Sequence, residues 1–218
     1  MKSNKISLYN KKNKEQLLDD LSKEKFNRIT CSFYKYVKLN NLKELRNEIY
    51  IIWDSLNILG RIYLAREGIN AQISVPEHHW EKFEDSLINF PKFNDIKIKK
   101  AIQEGQAFLK LVIKIKDEIV AYKIKENEFD MEKVGNHLST IEFNDAIDGG
   151  AVVIDIRNYY ESEVGKFESA IIPNVDRSED LLPEIRELLC GYEDEKVLMY
   201  CTGGIRCEKA SSYLIKNG

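Results

Sequence analysis

The sequence predicts a mixed α/β protein with two consecutive domains, the first built on an antiparallel sheet and the second on a parallel sheet. In the first half, apolar residues recur every second residue in some segments, which indicates strands, and about every 3.6 residues in others, which indicates helices. The resulting order is strand, helix, strand, strand, helix, strand. In the second half, two short apolar runs each lead into polar loop residues, and a helical run follows the second loop, as in parallel sheets. The charge also differs between the halves, because residues 1–125 carry a net +8 and residues 126–218 a net −11.

Length and composition limit the class of protein. The 218 residues suffice for two modest domains with a core each, and the balance of charged and apolar residues is that of a soluble globular protein. No apolar run is long enough to span a bilayer, so no membrane is expected. The four cysteines lack the spacing of a disulfide framework, and no metal-ligand spacing occurs. We therefore expect a cytoplasmic protein without a bound metal.

The predicted domain boundaries follow the changes in composition. Residues 1–26 are polar with a short stripe of leucines and are predicted to form a flexible tail. Residues 27–116 form the first domain, and the charged, weakly periodic residues 117–136 a linker. Residues 137–218 form the second domain.

The first domain has the element order of a split βαβ fold, as in ferredoxin-like and acylphosphatase-like α+β domains. Gly60 is expected to end the first helix. A turn is expected at Arg66, Glu67 and Gly68. The predicted strands are 28–37, 61–65, 69–75, 95–102 and 108–115, and the predicted helices span 42–56 and 76–88.

Such a fold leaves one face of its sheet partly open, and a basic open face is expected to bind a polyanion. Tyr63 and Phe108 lie nearby in sequence and could stack on bases, as aromatic residues do in proteins that bind single-stranded RNA. The alternatives are that the lysines serve solubility and that both aromatics belong to the core. The basic candidates are Arg61, Arg66, Lys97, Lys99, Lys100, Lys110, Lys114 and Lys116.

The second domain is predicted to place two strand ends at one edge of a parallel sheet. A helix capped by Ser139 or Thr140 precedes a strand at 151–154, and a second strand runs over 197–200. Asp155 follows the first strand and Cys201 follows the second. Because ligands bind at the carboxyl ends of parallel strands, this edge is the expected site.

The loop after the second strand carries the candidate nucleophile. Gly203 and Gly204 let successive backbone N–H groups point into one concavity, and a helix begins directly after them. These amides, the helix N-terminus and Arg206 are all expected to lower the pKa of the Cys201 thiol. An ordinary buried cysteine would not need two adjacent glycines and an arginine beside it.

Three motifs give a family resemblance. The spacing between Cys201 and Arg206, with four residues between them in a loop from strand to helix, resembles the active-site loop of rhodaneses. Residues 155–161 resemble the D-x-R-x-x-x-E segment of the same proteins. Residues 165–174 resemble a third rhodanese segment, with Lys166 in place of histidine and Ser169 in place of glycine. The longer stretches 65–71 and 200–209 resemble the rhodanese-related tRNA uridine hydroxylase family. The resemblance covers residues 28–218.

The resemblance implies a rhodanese-like second domain that is C-terminally incomplete, because rhodanese domains continue with another strand and helix. It also implies oxygen-dependent hydroxylation of the wobble uridine of tRNA (position 34) to 5-hydroxyuridine. The co-substrate would be molecular oxygen, with no further cofactor evident, and the partner would be the anticodon region of tRNA. Cys201 would be catalytic, and the supporting residues would be Thr202, Gly203, Gly204, Ile205 and Arg206 of the loop together with Asp155, Arg157 and Cys207.

The residues alone leave alternatives open. The same loop suits a sulfurtransferase that carries a persulfide on Cys201, and a non-catalytic rhodanese-like binding module is a further reading. A phosphatase is disfavoured because its loop would need one more residue between cysteine and arginine. Cys207 is either a resolving thiol for an oxidised Cys201 or a half-buried helix residue.

Overall fold

The computed structural model describes residues 8–101 and 108–218, and the chain forms two compact units, Met1–Ile119 and Val120–Gly218. The predicted tail lies partly outside the described residues. Within it, α1 (Lys14–Ser22) is a helix with no buried residue, and Asn13 and Gln16 form a capping box at its start. No helix among the described residues has both the length and the apolar character needed to cross a membrane.

The first unit is a five-stranded sheet that confirms the predicted α+β plan. Its elements are β1 (Arg28–Tyr36), α2 (Leu42–Ser55), β2 (Leu59–Ala65), β3 (Gly68–Pro76), α3 (Trp80–Ile88), β4 (Lys99–Lys100) and β5 (Leu111–Ile115). The strand order is β4-β1-β3-β2-β5, with antiparallel pairing except between β2 and β5, which are parallel. The first four strands have the order of the split βαβ fold, and β5 adds a parallel edge strand.

One face of this sheet packs against the helices. Alternate strand residues such as Phe33 and Ile62 are buried there together with Trp53 of α2 and Phe83 of α3. The indole N–H of Trp53 donates a hydrogen bond to Ser86 Oγ at 3.0 Å, so this large buried side chain leaves no donor unpaired. The other face carries the polar residues of the same strands.

Several boundaries differ from the predictions; α3, for example, begins at Trp80 instead of residue 76. β4 is only two residues long, because Ile96 and Ile98 of the predicted strand 95–102 pack against the core in irregular structure; Ile102 itself lies outside the described residues. Phe108 precedes β5 instead of belonging to it. Gly60 does not end α2 but lies within β2, where a Cβ atom would approach the carbonyl oxygen of Gln72 to 2.3 Å.

The second unit contains the predicted parallel sheet. β6 (Val152–Asp155) and β7 (Val197–Tyr200) pair in parallel, and Ile171 forms an isolated parallel bridge with Ile154. Helices surround this sheet, and Ser139 caps the first of them as predicted. The helices are α4 (Thr140–Asp148), α5 (Tyr159–Val164), α6 (Ser178–Leu188) and α7 (Ile205–Asn217).

The structure corrects the predicted linker at 117–136. Val120, Tyr122 and Phe129 pack into the core of the second unit, against Leu182 of α6 and Ala210 of α7. Tyr122 is 1% exposed. The many charged residues of this segment obscure its apolar periodicity, so the sequence pattern does not indicate that one face is buried. The second unit begins at residue 120 instead of 137.

Candidate active site

The Cys201 thiol lies in a tight loop between β7 and α7. Gly204 has the left-handed φ of 91° and stands at the N-cap of α7, which turns its backbone N–H toward the thiol. That N–H donates a hydrogen bond to Cys201 Sγ at 3.0 Å. The thiol is half-buried, so it is screened from water yet lies at the loop surface.

Several donors hold the thiol in its anionic form. The side chain of Cys207 donates a hydrogen bond to Cys201, and the backbone N–H groups of Cys207, Gly203 and Gly204 add to it. Burial opposes this effect, yet the pKa of Cys201 falls to about 5. The lowered pKa favours the thiolate, which is the nucleophilic form of cysteine, so Cys201 stays the candidate nucleophile of the loop.

Cys207 contributes more to this site than the sequence indicated. Its hydrogen bond to the Cys201 sulfur, followed by burial, raises its own pKa, so it stays protonated beside the thiolate. Cys207 belongs to the first turn of α7, which fixes its side chain next to Cys201. The prediction had credited the amides, the helix end and Arg206 instead.

Arg206 forms an ion pair with Glu161, a residue that was not predicted to belong to the site. Its Nη1 and Nη2 donate to Glu161 Oε2 and Oε1 at 2.7 and 2.9 Å, a bidentate pair. Thr202 Oγ1 donates to Glu161 Oε1 at 2.6 Å and accepts from Arg206 Nη2 at 3.2 Å. We call Glu161, Thr202 and Arg206 the clamp.

Short helix α5 positions the carboxylate of the clamp. Asn158, at the N-cap of α5, donates its backbone N–H to Glu161 Oε2 at 3.1 Å. The hydrogen bonds from Arg206, together with those from Thr202 and Asn158, outweigh burial and lower the pKa of Glu161 to about 2. The signal for Glu161 was present in the sequence, since it is the last residue of the D-x-R-x-x-x-E segment.

A second network joins the ends of the two strands. Asp155 is fully buried and accepts hydrogen bonds from the backbone and guanidinium of Arg157, from Ser162 Oγ at 3.0 Å and from Tyr200 Oη at 2.8 Å. Burial alone would raise the pKa of Asp155, but the hydrogen bonds from Arg157, Tyr200 and Ser162 prevail and lower it. Because Tyr200 directly precedes Cys201, this network supports the nucleophile loop. Sequence reasoning had missed Tyr200 and Ser162.

The remaining loop and cysteine candidates differ in their surroundings. Ile205 is the first residue of α7. Burial raises the pKa of the Cys31 thiol to about 12, and Cys190 is exposed. Lys209, which follows the loop, is fully buried; its Nζ donates to the Val120 carbonyl at 3.4 Å and lies 5.0 Å from the Phe129 ring centre.

No group of His, Cys, Asp and Glu suited to a metal ion occurs among residues 8–101 and 108–218.

The basic candidates of the first unit are exposed but do not share one face. Arg61 pairs across the sheet with Gln72, and Lys99 pairs with Ser32, which in turn pairs with Gln72. These side chains therefore share the face opposite the helices. Lys100 pairs with Cys31 and points to the other face, where its Nζ lies 4.2 Å from the ring centre of Trp80.

Among the other basic candidates, Lys114 lies in β5 and pairs with Tyr63 of β2, whereas the rest lie outside the strands. Arg66 stands in the β2–β3 turn, Lys97 precedes β4 and Lys110 precedes β5. Tyr63 is half-buried, with the ammonium of Lys116 at 5.7 Å from its ring centre. Phe108 is half-buried too.

Comparisons with known proteins cover both units. Residues 28–119 match the family model described as the UPF0176 acylphosphatase like domain. The tRNA uridine(34) hydroxylase of Leptospira interrogans is 49% identical over 213 residues, which cover 97% of this chain and 58% of that protein. The proteins of the same name from Escherichia fergusonii and Salmonella typhimurium are 42% and 41% identical over 214 residues, which cover 97% of this chain and 61% of each relative. The chain thus spans about three fifths of the length of these relatives.

Proposed function

We propose that the chain belongs to the family of the tRNA uridine(34) hydroxylases and that it hydroxylates C5 of the wobble uridine of tRNA to give 5-hydroxyuridine. The observation that carries the proposal is the Cys201 thiolate, held by backbone amides and the Cys207 thiol at the end of a parallel strand. A binding module would not need a thiol with a pKa of about 5.

In the proposed reaction the Cys201 thiolate adds to C6 of the uracil ring. The electrons of the C5–C6 double bond move toward the C4 carbonyl, and the resulting enolate makes C5 nucleophilic. C5 then takes an oxygen atom from an electrophilic oxygen species. Loss of the C5 proton and expulsion of the thiolate from C6 restore the ring.

The residues of the loop support both the first step of this reaction, thiolate attack, and the last step, thiolate departure. A low thiol pKa makes Cys201 anionic before the attack and a good leaving group afterwards. If molecular oxygen supplies the oxygen atom, one atom of O2 enters the base and the other leaves as water. Formation of that water requires two electrons and two protons, and a reductant must supply the electrons. Cys207 keeps its proton through the cycle and donates its hydrogen bond to the sulfur whenever that sulfur is anionic.

We assign tRNA binding to the basic residues of the first unit, with the anticodon region as the part recognised. Residues 1–125 carry a net +8, and the candidate side chains are exposed. The second unit is proposed to be a rhodanese-like domain, on the strength of its parallel strands and the loop between β7 and α7. The cytoplasm is the proposed location, because tRNA is present there and its reducing environment preserves a reactive thiol.

The test is mass spectrometry of the wobble uridine in tRNA from cells whose own gene for this protein is deleted and in which the native chain or a variant is expressed instead. Native chain should restore 5-hydroxyuridine, and Cys201→Ala should abolish it. Cys190→Ala, which removes an exposed thiol outside the site, is the matched control and should behave as the native chain. Full activity of Cys201→Ala would refute the role of this thiol.

A sulfurtransferase is the second candidate, because the amides that stabilise the thiolate would equally stabilise a persulfide on Cys201. It predicts transfer of sulfur from thiosulfate to cyanide by the purified chain. Rapid turnover of thiosulfate without any change in tRNA would favour this candidate over the hydroxylase.

A further inference from the structure

The guanidinium of Arg206 is directed at the other two residues of the clamp, Glu161 and Thr202. The carboxylate of Glu161 accepts four hydrogen bonds: two from Arg206, one from Thr202 Oγ1 and one from the backbone N–H of Asn158. Two of the nitrogens of Arg206 are thereby directed at a carboxylate in the fork geometry that this side chain would otherwise offer to an oxyanion.

The charges around the loop are also unfavourable to an anion. Arg206 is compensated by Glu161 and Arg157 by Asp155, both at hydrogen-bond distance. The ammonium of Lys209 is buried against the Val120 carbonyl and the Phe129 ring. The charges of the clamp cancel, so an ionised Cys201 itself repels a thiosulfate or phosphate ion that comes close to the sulfur.

A uracil ring meets no such repulsion, because the ring is neutral. The negative charges of the nucleotide lie on phosphates outside the ring. We infer that Glu161 is a positioning residue that sets the specificity of the site: by holding Arg206 together with Thr202, it excludes small oxyanions from the Cys201 loop and leaves it open to a neutral nucleobase. The inference deepens the proposed function and rests on it only for the identity of the favoured substrate.

The decisive experiment measures protection of Cys201 from iodoacetamide by sulfate in the whole chain, at neutral pH and constant ionic strength. Sulfate should not slow alkylation of the native chain. In Glu161→Gln the clamp loses its charge, Arg206 becomes available, and sulfate should bind about tenfold more tightly and protect the thiol.

Three further variants separate specificity from general damage. Glu163→Gln makes the same charge change at an exposed position of α5 and should leave sulfate without effect. Glu161→Asp, which restores the carboxylate, should exclude sulfate again. Adding Arg206→Gln to Glu161→Gln should abolish the gained protection, because the guanidinium that binds the anion is then absent.

Thr202→Val tests the inference even if Glu161→Gln fails to fold, because Thr202 is exposed and its hydroxyl donates to the same carboxylate. This variant should show a smaller gain of sulfate protection than Glu161→Gln. Equal sulfate protection in native chain, Glu161→Gln and Thr202→Val would overturn the inference. That readout needs no tRNA, so its failure is distinguishable from a failure to hydroxylate uridine.

Discussion

At the scale of single residues, the Cys201 thiolate draws its hydrogen bonds from groups no more than six positions along the chain. Gly203, Gly204 and Cys207 all lie in the loop and first turn of α7. A site built from one short segment is set by local backbone geometry, which explains why the sequence already pointed to Cys201.

The thiol of Cys207 is expected to control the ionisation of Cys201. Native Cys201 has a pKa of about 5, so its alkylation rate should be constant from pH 6 upward and fall below about pH 5. In Cys207→Ala the strongest hydrogen bond to the thiolate is lost, and the midpoint should move up by roughly one to two pH units. The measurement is the iodoacetamide rate of Cys201 against pH.

Cys207→Ser provides the matched control, because its hydroxyl can donate the same hydrogen bond. Its midpoint should stay near that of the native chain. An unchanged midpoint in Cys207→Ala would show that the backbone amides suffice and that Cys207 is only a packing residue.

At the scale of secondary-structure elements, Asp155 connects β6, α5 and β7. It stands at the end of β6 and accepts hydrogen bonds from Ser162 of α5 and Tyr200 of β7. Arg157 completes the network from the loop that follows β6. The nucleophile loop is therefore anchored through a buried carboxylate instead of through apolar packing alone.

Asp155→Asn is expected to destabilise the chain by about 3 kcal/mol at pH 7, because it leaves Arg157 with an uncompensated charge. The pKa of Asp155 is lowered in the folded state. Its contribution is therefore complete above its unfolded pKa of about 3.9 and is lost as the pH falls through the lower folded value. The difference between the native chain and the variant should thus shrink below about pH 4.

Urea unfolding at pH 7 and at pH 3, followed by circular dichroism, gives this comparison. Asp148→Asn changes an exposed carboxylate at the end of α4 and should have no effect at either pH. A pH-independent loss of stability in Asp155→Asn would mean that its hydrogen-bond geometry matters and its charge does not.

At the scale of the whole molecule, the charge asymmetry indicates a division of work. The net −11 of residues 126–218 repels a polyanion, and the net +8 of residues 1–125 attracts one. The structure places Arg61 and Lys99 on the sheet face that the helices leave uncovered, whereas Lys100 lies on the opposite face.

Affinity of the whole chain for tRNA should therefore fall steeply with salt, because phosphate contacts release counterions. Arg61→Gln should reduce the slope of log K against log salt concentration by about one, if Arg61 contacts one phosphate. Lys82→Gln removes an exposed cation from α3 and should leave the slope unchanged. Equal slopes for the native chain and Arg61→Gln would remove Arg61 from the interface.

Periodicity predicted the two sheets and most helices, since a half-buried strand or helix must repeat its apolar residues at a fixed interval. It failed for residues 117–136, where charged side chains surround the buried Tyr122, and for β4, where Ile96 and Ile98 pack without strand pairing. In both cases burial came from partners distant in sequence, which a local pattern does not contain.

The sequence by itself identified Cys201 as the candidate nucleophile, because a glycine pair and a helix start beside it constrain the backbone locally. Only the tertiary structure decided what Arg206 does. Its partner, Glu161, lies 45 positions away in the chain, and the parallel pairing of β6 with β7 places the segments that carry the two residues side by side. The same pairing brought Tyr200 to Asp155. The sequence gives the charge of a side chain. Whether that charge contacts a substrate or is neutralised by another residue depends on which segments the fold places side by side.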